Sequence, residues 1–174
     1  MNMAEFWDVL DKDGNKTGKQ CERGHLQDDE YHLVLQVWIL NSQGEFLISR
    51  RTPNKPWPLF WECTGGSAIA GDDSITSAIK EVAEELGVIL DPANGKLFHR
   101  FTKLTCCNTC GNGHSIIDAW LFRQDIDIAA VTLQPEETCD AMWASKEKIR
   151  QMLEDEQFIG YEFYPYLDEL FDEV

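Results

Sequence analysis

The sequence predicts an α+β sandwich, in which a sheet packs against helices. Three observations support this prediction. A mostly apolar run rich in β-forming residues, HLVLQVWIL, occupies residues 32–40. Apolar residues recur at helical spacing over residues 74–86. The predicted elements run in the order strands, helix, strands, helices, which is typical of an α+β architecture.

The part of the chain before residue 70 is predicted to be mainly β. Residues 6–10 form a short strand, and the turn-rich stretch DKDGNKTG after it predicts a hairpin. The apolar run at 32–40 is a buried strand, NSQGE is a turn, and residues 46–51 return as its partner. Residues 52–61 contain three prolines and should be irregular. A short strand or loop follows at 62–68.

The clearest helix covers residues 74–86. Ser74 occupies the expected N-cap position, Asp72 and Asp73 lie near the positive end of the helix dipole, and Gly87 ends the helix. The apolar stripe of this helix consists of Ile75, Ile79, Val82 and Leu86.

Three strands and two helices are predicted beyond residue 90. The first helix lies in SKEKIRQMLED, where Ser145 is the cap. The second covers residues 164–173, with Pro165 in its first turn. The strands are predicted at residues 97–104, 115–122 and 138–144.

Length and composition predict one globular domain spanning residues 1–174. The chain has 174 residues, which is enough for a single hydrophobic core. Hydrophobic residues make up 43% of it, and this fraction argues against a disordered chain.

The net charge, the apolar runs and the N-terminal sequence indicate which partners and which cellular compartment to expect. With 31 acidic and 15 basic residues, the net charge is −16, which disfavours a nucleic acid polymer as a partner. No apolar run approaches the roughly 20 residues of a membrane span, so no membrane association is expected. The N-terminus is acidic and lacks a signal-peptide core. We therefore expect a cytoplasmic protein whose six cysteines are free thiols.

Three glutamates, Glu81, Glu84 and Glu85, lie within about one turn of the predicted helix. Carboxylates three and four residues apart repel each other. At about 100° per residue they are expected on the side of the helix away from its apolar stripe. One interpretation is an ordinary solvated face. The other is a divalent-metal site, because Mg²⁺ prefers oxygen ligands and supplies the compensating charge.

The spacing around these glutamates carries a family resemblance. Gly66 is followed after five residues by Asp72 and after seven more by KEVAEELGV, residues 80–88. This resembles the signature of the Nudix hydrolases, G-x5-E-x7-R-E-U-x-E-E-x-G-U, where U is a bulky aliphatic residue. Two positions depart from it: Asp72 stands for the glutamate and Lys80 for the arginine. Looser similarity elsewhere resembles the Nudix branch related to isopentenyl-diphosphate isomerase.

The resemblance implies a fold, a reaction and a set of ligands. The fold is an α/β/α sandwich with a mixed central sheet. The reaction is Mg²⁺- or Mn²⁺-dependent hydrolysis of a diphosphate bond in a small molecule, typically a nucleoside diphosphate derivative. The resemblance implies that Glu81, Glu84 and Glu85 match the acidic cluster that binds the ion and contains a candidate base, and that the Gly66 carbonyl often joins them. Many relatives pair, so a homodimer is possible.

Other residues are candidates for the same site. Gly65 and Gly66 permit close approach of the backbone to a ligand. Glu137 is either a further ligand or base, or an ordinary surface residue. Arg50 and Arg51 belong to the densest basic patch, but they must point to opposite faces of a strand, so at most one is expected to reach a phosphate. The aromatic residues Trp57, Phe60 and Trp61 either pack in the core or stack on a base or prenyl-like group.

Three other interpretations arise from the sequence. Cys107, Cys110 and His114 have partial zinc-ligand spacing, but a second CxxC pair is missing, and free thiols are preferred. The related isomerase has its catalytic cysteine immediately before the glycine that matches Gly66, where this chain has Gly65. A non-catalytic module that binds nucleotides is the third possibility, and the intact glutamate trio argues against it.

Overall fold

A computed structural model describes residues 4–104 and 113–174 of the protein. Within these ranges nine strands form one sheet with helices on both faces. The strands are β1 (Phe6–Leu10), β2 (Lys16–Glu22), β3 (Tyr31–Leu40), β4 (Glu45–Arg51), β5 (Trp61–Glu62), β6 (Thr64–Ser67), β7 (Gly95–Leu104), β8 (His114–Arg123) and β9 (Thr138–Ser145). The α-helices are α1 (Ser74–Leu86), α2 (Lys146–Glu154) and α3 (Leu167–Phe171), and short 3₁₀ turns occur at Pro92–Asn94, Ile128–Ala130 and Tyr161–Phe163.

Strand β3 is the centre of the sheet. It pairs in parallel with β8 along its whole length, from Tyr31 opposite His114 to Leu40 opposite Arg123. It also pairs antiparallel with β1, β4 and β6. Strand β7 extends the sheet beyond β8, and β9 pairs antiparallel with β4. The prediction of a mixed central sheet is therefore confirmed.

Both faces of β3 are covered, which explains its nearly continuous apolar sequence. Leu35, Val37 and Ile39 pack in the hydrophobic cluster that contains α1. Trp38 and Leu40 point the other way, into the cluster that contains α2 and α3. Because successive side chains of a strand project to opposite faces, one strand contributes to both hydrophobic clusters. The α/β/α sandwich is confirmed.

The last helix is shorter than predicted. Helix α3 begins at Leu167, so Pro165 precedes the helix and does not lie in its first turn. Tyr164 has φ −132° and ψ 64°, outside the helical region, and therefore separates the 3₁₀ turn before it from α3. The other predicted strands and helices are present with small shifts at their ends. No helix within the two described ranges has the length and apolar character needed to cross a membrane.

Candidate active site

A cleft of about 450 Å³ opens where β6 and α1 meet. Its other walls come from the irregular loop 52–60, the segment 134–137 and the base of the N-terminal hairpin. The cleft is strongly charged, in contrast to the apolar layers on either side of the sheet. The charged side chains that line it are Glu5, Arg23, Arg51, Lys55, Glu81, Glu84, Glu85 and Glu137.

Local sequence explains where α1 begins and ends. A carboxylate oxygen of Asp73 accepts a hydrogen bond from the Thr76 backbone N–H at 2.9 Å, so Asp73 is the N-cap. The prediction that Ser74 is the cap is wrong by one residue, because the Ser74 hydroxyl donates to Asp118 instead. Gly87 ends the helix with φ 66°, a left-handed conformation that glycine adopts readily, as predicted.

The three glutamates of α1 differ in burial. Glu85 is only 6% exposed, Glu81 is half-buried and Glu84 is exposed. The prediction that all three lie away from the apolar stripe is therefore wrong for Glu85. Helix α1 packs beside β6, and the side of the helix next to the buried Val82 and Leu86 faces this strand and the cleft.

The two glycines of β6 are required by close packing. Gly65 and Gly66 lie opposite Gln36 and Leu35 of β3. A Cβ atom at Gly65 would collide with the Leu35 carbonyl oxygen, which is backbone and cannot yield easily. A Cβ atom at Gly66 would lie 2.5–2.6 Å from the Glu81 carboxylate. Gly66 therefore makes room for Glu81.

Burial changes the acidity of two of these carboxylates. Burial, reinforced by the charge of Glu84, raises the pKa of Glu81 to about 7. Burial raises the pKa of Glu85 to about 8, although the charge of Lys55 opposes the shift. Such perturbed carboxylates in a cleft are typical of functional sites.

Cationic groups reach the same cleft from the end of β4 and from loop 52–60. Lys55 forms an ion pair with Glu137, and the Thr52 backbone N–H donates to the Glu137 carbonyl at 3.3 Å. Arg51 donates from Nη1 to both carboxylate oxygens of Glu62, at 2.8 and 2.7 Å, and from Nε to the Pro56 carbonyl at 2.6 Å. These bonds hold the Arg51 guanidinium at the cleft wall.

Arg50 takes a different position from Arg51, as expected for adjacent residues of a strand, whose side chains point to opposite faces. Its Nε donates to the Leu59 carbonyl at 2.9 Å, and its guanidinium lies 5.7 Å from the centre of the Trp61 ring. The candidate role of Arg50 in substrate binding is therefore not supported by its placement. Arg51 is the one of the two that lines the cleft.

The two departures from the Nudix signature contact each other. Lys80 Nζ lies 2.8 and 2.7 Å from the two carboxylate oxygens of Asp72. The shorter Asp72 is therefore matched by a flexible lysine, and the ion pair braces the segment that leads into α1. Charge complementarity is kept, while the planar fork of an arginine is lost.

The donor chemistry of the cleft fits a hard divalent cation. Carboxylates of Glu81, Glu84 and Glu85 and the main chain at Gly66 border one space, and all are oxygen donors suited to Mg²⁺. As the side chains lie, no three His, Cys, Asp or Glu groups among the described residues are close enough to hold an ion together.

Sequence reasoning missed one pair at the cleft. Arg23 Nη1 lies 2.6 Å from a carboxylate oxygen of Glu5, and the Arg23 backbone N–H donates to the Glu5 carbonyl at 2.9 Å. The signal was available, because this pair continues the hairpin register beyond Phe6 and Glu22. The zinc hypothesis cannot be compared in this way, since Cys107 and Cys110 lie outside the described residues.

Comparison with known proteins identifies the protein family to which this fold and this cleft belong. The model of the NUDIX domain family matches residues 30–167, which is most of the chain and includes β6, α1 and Glu137. The chain therefore belongs to the NUDIX family, and it is a Nudix hydrolase by class. The α/β/α sandwich and the spacing from Gly66 to Val88 agree with this membership.

Individual relatives support the assignment. An uncharacterized Nudix hydrolase of Listeria monocytogenes is 34% identical over 97% of this chain and 94% of its own length. An isopentenyl-diphosphate Delta-isomerase of Citrobacter koseri is 27% identical over 83% of this chain and 80% of its own length. The crystal structure of DR0079 from Deinococcus radiodurans covers 95% of this chain and 98% of its own, with a TM-score of 0.71 and 20% identity, and supports the fold.

Proposed function

We propose that this protein is a Mg²⁺-dependent hydrolase of phosphoanhydride bonds in nucleoside diphosphate derivatives, with Mn²⁺ as the alternative ion. Nudix hydrolases act on nucleoside diphosphate derivatives. The observation that carries the proposal is the shared cleft, in which the carboxylates of α1 and the cations Arg51 and Lys55 border the same space.

The residues of the cleft have two roles, because some hold the metal ion and others bind phosphate oxygens. Glu81, Glu84, Glu85 and the main chain at Gly66 hold the ion. When bound, Mg²⁺ neutralises phosphate oxygens and activates water for attack on phosphorus. Arg51 and Lys55 bind the remaining phosphate oxygens by charge-assisted hydrogen bonds.

A proton must leave the attacking water, and the cleft supplies carboxylates to accept it. One of the α1 glutamates is the base, or Glu137 is. Glu137 lies on a separate segment and is held by Lys55, so binding of phosphate to Lys55 would release it. Gly65 lines the cleft, so a substrate can approach its main chain.

The isomerase alternative is disfavoured by the environment of Gly65. No side chain fits at this position, because its Cβ would collide with the Leu35 carbonyl. Cys63, the nearest cysteine in sequence, is 3% exposed, and burial raises the pKa of its thiol well above the ordinary value. A thiol in that environment stays neutral and is a poor catalyst.

The proposal is tested with a panel of nucleoside diphosphate derivatives, including ADP-ribose, a nucleotide sugar and a dinucleoside polyphosphate. Each is incubated with Mg²⁺, Mn²⁺ or EDTA, and the products are identified by mass spectrometry. We expect cleavage at the diphosphate with a metal ion and none with the chelator.

Variants assign the activity to the cleft. Glu81→Gln and Glu85→Gln should each lower kcat/KM at least about 100-fold, as expected for loss of a group acting in the transition state. Glu154→Gln is the matched control, since Glu154 is exposed at the end of α2. Cleavage that persists in EDTA, or that survives both cleft substitutions, would overturn the proposal. Binding without turnover would support a non-catalytic module.

A further inference from the structure

A threonine hydroxyl is buried beside α1 without a hydrogen-bond partner among the described residues. Thr64, the first residue of β6, is only 1% exposed. Within the described ranges, no group donates to its Oγ1 atom or accepts from it. A buried polar group without a partner costs stability, and native proteins keep few of them. Such groups are explained by an ordered water or ion, or by a functional role.

The pairing of β6 with β3 shows which way the Thr64 side chain points. Thr64 lies opposite Val37, and Gly66 lies opposite Leu35. Residues directly opposite each other in an antiparallel pair project to the same face of the sheet. Leu35 and Val37 pack in the hydrophobic cluster that contains α1. Thr64 therefore points towards α1, on the same face as Gly66.

Two observations show how α1 lies along residues 62–66. A Cβ atom at Gly66 would lie 2.5–2.6 Å from the Glu81 carboxylate, so these two residues face each other. Glu85 lies nearer the other end of this stretch, because after burial and the charge of Lys55 it is the charge of Glu62 that most affects its pKa. From residue 81 to residue 85, helix α1 therefore follows the strand from Gly66 back towards Glu62.

Thr64 lies midway along this contact. One helical turn rises about 5.4 Å, and two residues of a strand span about 6.6 Å. The step from Glu81 to Glu85 therefore matches the step from Gly66 to Thr64. This match assigns Glu85, and not Glu81, as the carboxylate of α1 nearest the Thr64 hydroxyl.

Rotation of side chains is enough to bring these two groups together. The main chain of Glu85 is fixed, because the Gln134 backbone N–H donates to its carbonyl at 3.0 Å. The main chain of Thr64 is fixed by its pairing with β3. A threonine hydroxyl donates one hydrogen bond, and a carboxylate accepts several. A bond between a hydroxyl and an ionised carboxylate is of the strong, charge-assisted kind.

We infer that Thr64 is a positioning residue for Glu85. When Glu85 holds the metal ion, the Thr64 hydroxyl donates to its carboxylate and fixes the direction of that group. This inference rests on the proposed function, because it takes Glu85 as a ligand of the ion. Carboxylates that bind metal ions are themselves hydrogen-bonded, and loss of such a partner lowers metal affinity. Thr64 is not among the residues that line the cleft, so it acts through Glu85 and not on the substrate.

The test uses Thr64→Val, which keeps the shape of the side chain and removes the hydroxyl. Mn²⁺ is titrated into the metal-free protein, and the free ion is counted by its electron paramagnetic resonance signal. We expect the dissociation constant to rise at least about tenfold in Thr64→Val, as is typical when a group that orients a metal ligand is lost. Thr64→Ser, which restores a hydroxyl, should recover most of the affinity. Thr102→Val is the matched control, since Thr102 is exposed on β7, and it should bind as the wild type does.

The stability of the metal-free protein gives a second readout, and its sign separates positioning from a merely structural role. Replacing an unpartnered buried hydroxyl by a methyl group of the same shape is nearly neutral or stabilising. The urea midpoint of metal-free Thr64→Val should therefore equal or exceed that of the wild type. A threonine that served only the fold would give a lower midpoint when its hydroxyl is removed.

The outcomes of the two measurements are distinct. Weaker Mn²⁺ binding in Thr64→Val, recovered in Thr64→Ser and accompanied by an undiminished urea midpoint, supports the inference. Wild-type affinity in Thr64→Val, failure of serine to recover the affinity, or a lower midpoint without metal overturns it. The hydrolase proposal then still stands if the wild type cleaves a compound of the nucleotide panel only with a metal ion. A wild type that neither binds Mn²⁺ nor shows metal-dependent cleavage of any compound in that panel overturns both.

Discussion

The Ser74 hydroxyl, at the first residue of α1, donates a hydrogen bond to a carboxylate oxygen of Asp118 at 2.5 Å. Asp118 lies in β8 and has no exposed surface. Arg100 donates to the same carboxylate from Nε and Nη2, at 2.5 and 2.7 Å, and Trp120 Nε1 donates to the Ser74 oxygen at 2.9 Å. The helix that carries the cleft glutamates is thus anchored to the sheet by a hydrogen-bond network centred on the buried Asp118.

Loss of the Ser74 hydroxyl should destabilise the protein. Ser74→Ala removes one hydrogen bond from a buried carboxylate and leaves the Trp120 N–H without its acceptor, so we expect a loss of about 1–3 kcal/mol in the free energy of unfolding. Urea denaturation measures it. Ser42→Ala, an exposed turn position, is the control and should change the free energy by less than about 0.5 kcal/mol. Equal values for the two variants would refute the anchoring role.

Alanine at the two β6 glycines should have two different effects. Gly65→Ala pushes against the Leu35 backbone and should unfold or strongly destabilise the protein. Gly66→Ala meets only the flexible end of Glu81, so the variant should fold while its glutamate is displaced from the cleft. Denaturation curves and Mg²⁺ titration by calorimetry distinguish the two. A Gly66→Ala protein with normal Mg²⁺ affinity would contradict the assignment of Glu81 as a ligand.

His32 should make stability depend on pH. Its ring stacks on Trp7 with centroids 4.0 Å apart, and its Nδ1–H donates to the His114 carbonyl at 3.2 Å. Burial lowers the pKa of His32 from 6.5 to about 4, the His114 carbonyl opposes the shift, and Arg23 adds to it. The stabilising effect of a neutral His32 is complete above pH 6.5. It decreases as the pH falls towards 4, because the unfolded chain binds the proton first.

The measurement is the unfolding free energy of the wild type and of His32→Phe between pH 7.5 and 4. Phenylalanine keeps a ring against Trp7 and cannot be protonated. The advantage of the wild type should shrink by about 2–3 kcal/mol over this range. The raised pKa values of Glu81 and Glu85 affect both proteins alike and cancel in the difference. A difference that does not vary with pH would exclude this role of His32.

The ion pair between Asp72 and Lys80 should contribute little to stability. The Lys80 side chain is 53% exposed, so solvent and salt screen the attraction. A double-mutant cycle with Asp72→Asn and Lys80→Met should give a coupling energy of about 0.2–1 kcal/mol that decreases in 1 M salt. A coupling above about 2 kcal/mol, or one insensitive to salt, would indicate a different interaction.

Local sequence patterns determined much of this protein. The helical period of residues 74–86 predicted α1, the apolar run at 32–40 predicted β3, and the spacing from Gly66 to Val88 identified the family. Such features depend on residues close in sequence, whose periodicity reports backbone geometry directly.

The tertiary structure decided which side chains meet. It buried Glu85 against β6, turned Arg51 and not Arg50 to the cleft, and paired Lys55 with Glu137. It also paired Gln36 with Tyr166, which lies 130 residues further along the chain. These contacts form when segments that are distant in sequence pack together. The burial and electrostatic energies of these side chains depend on distances in space, and spacing along the sequence does not specify those distances.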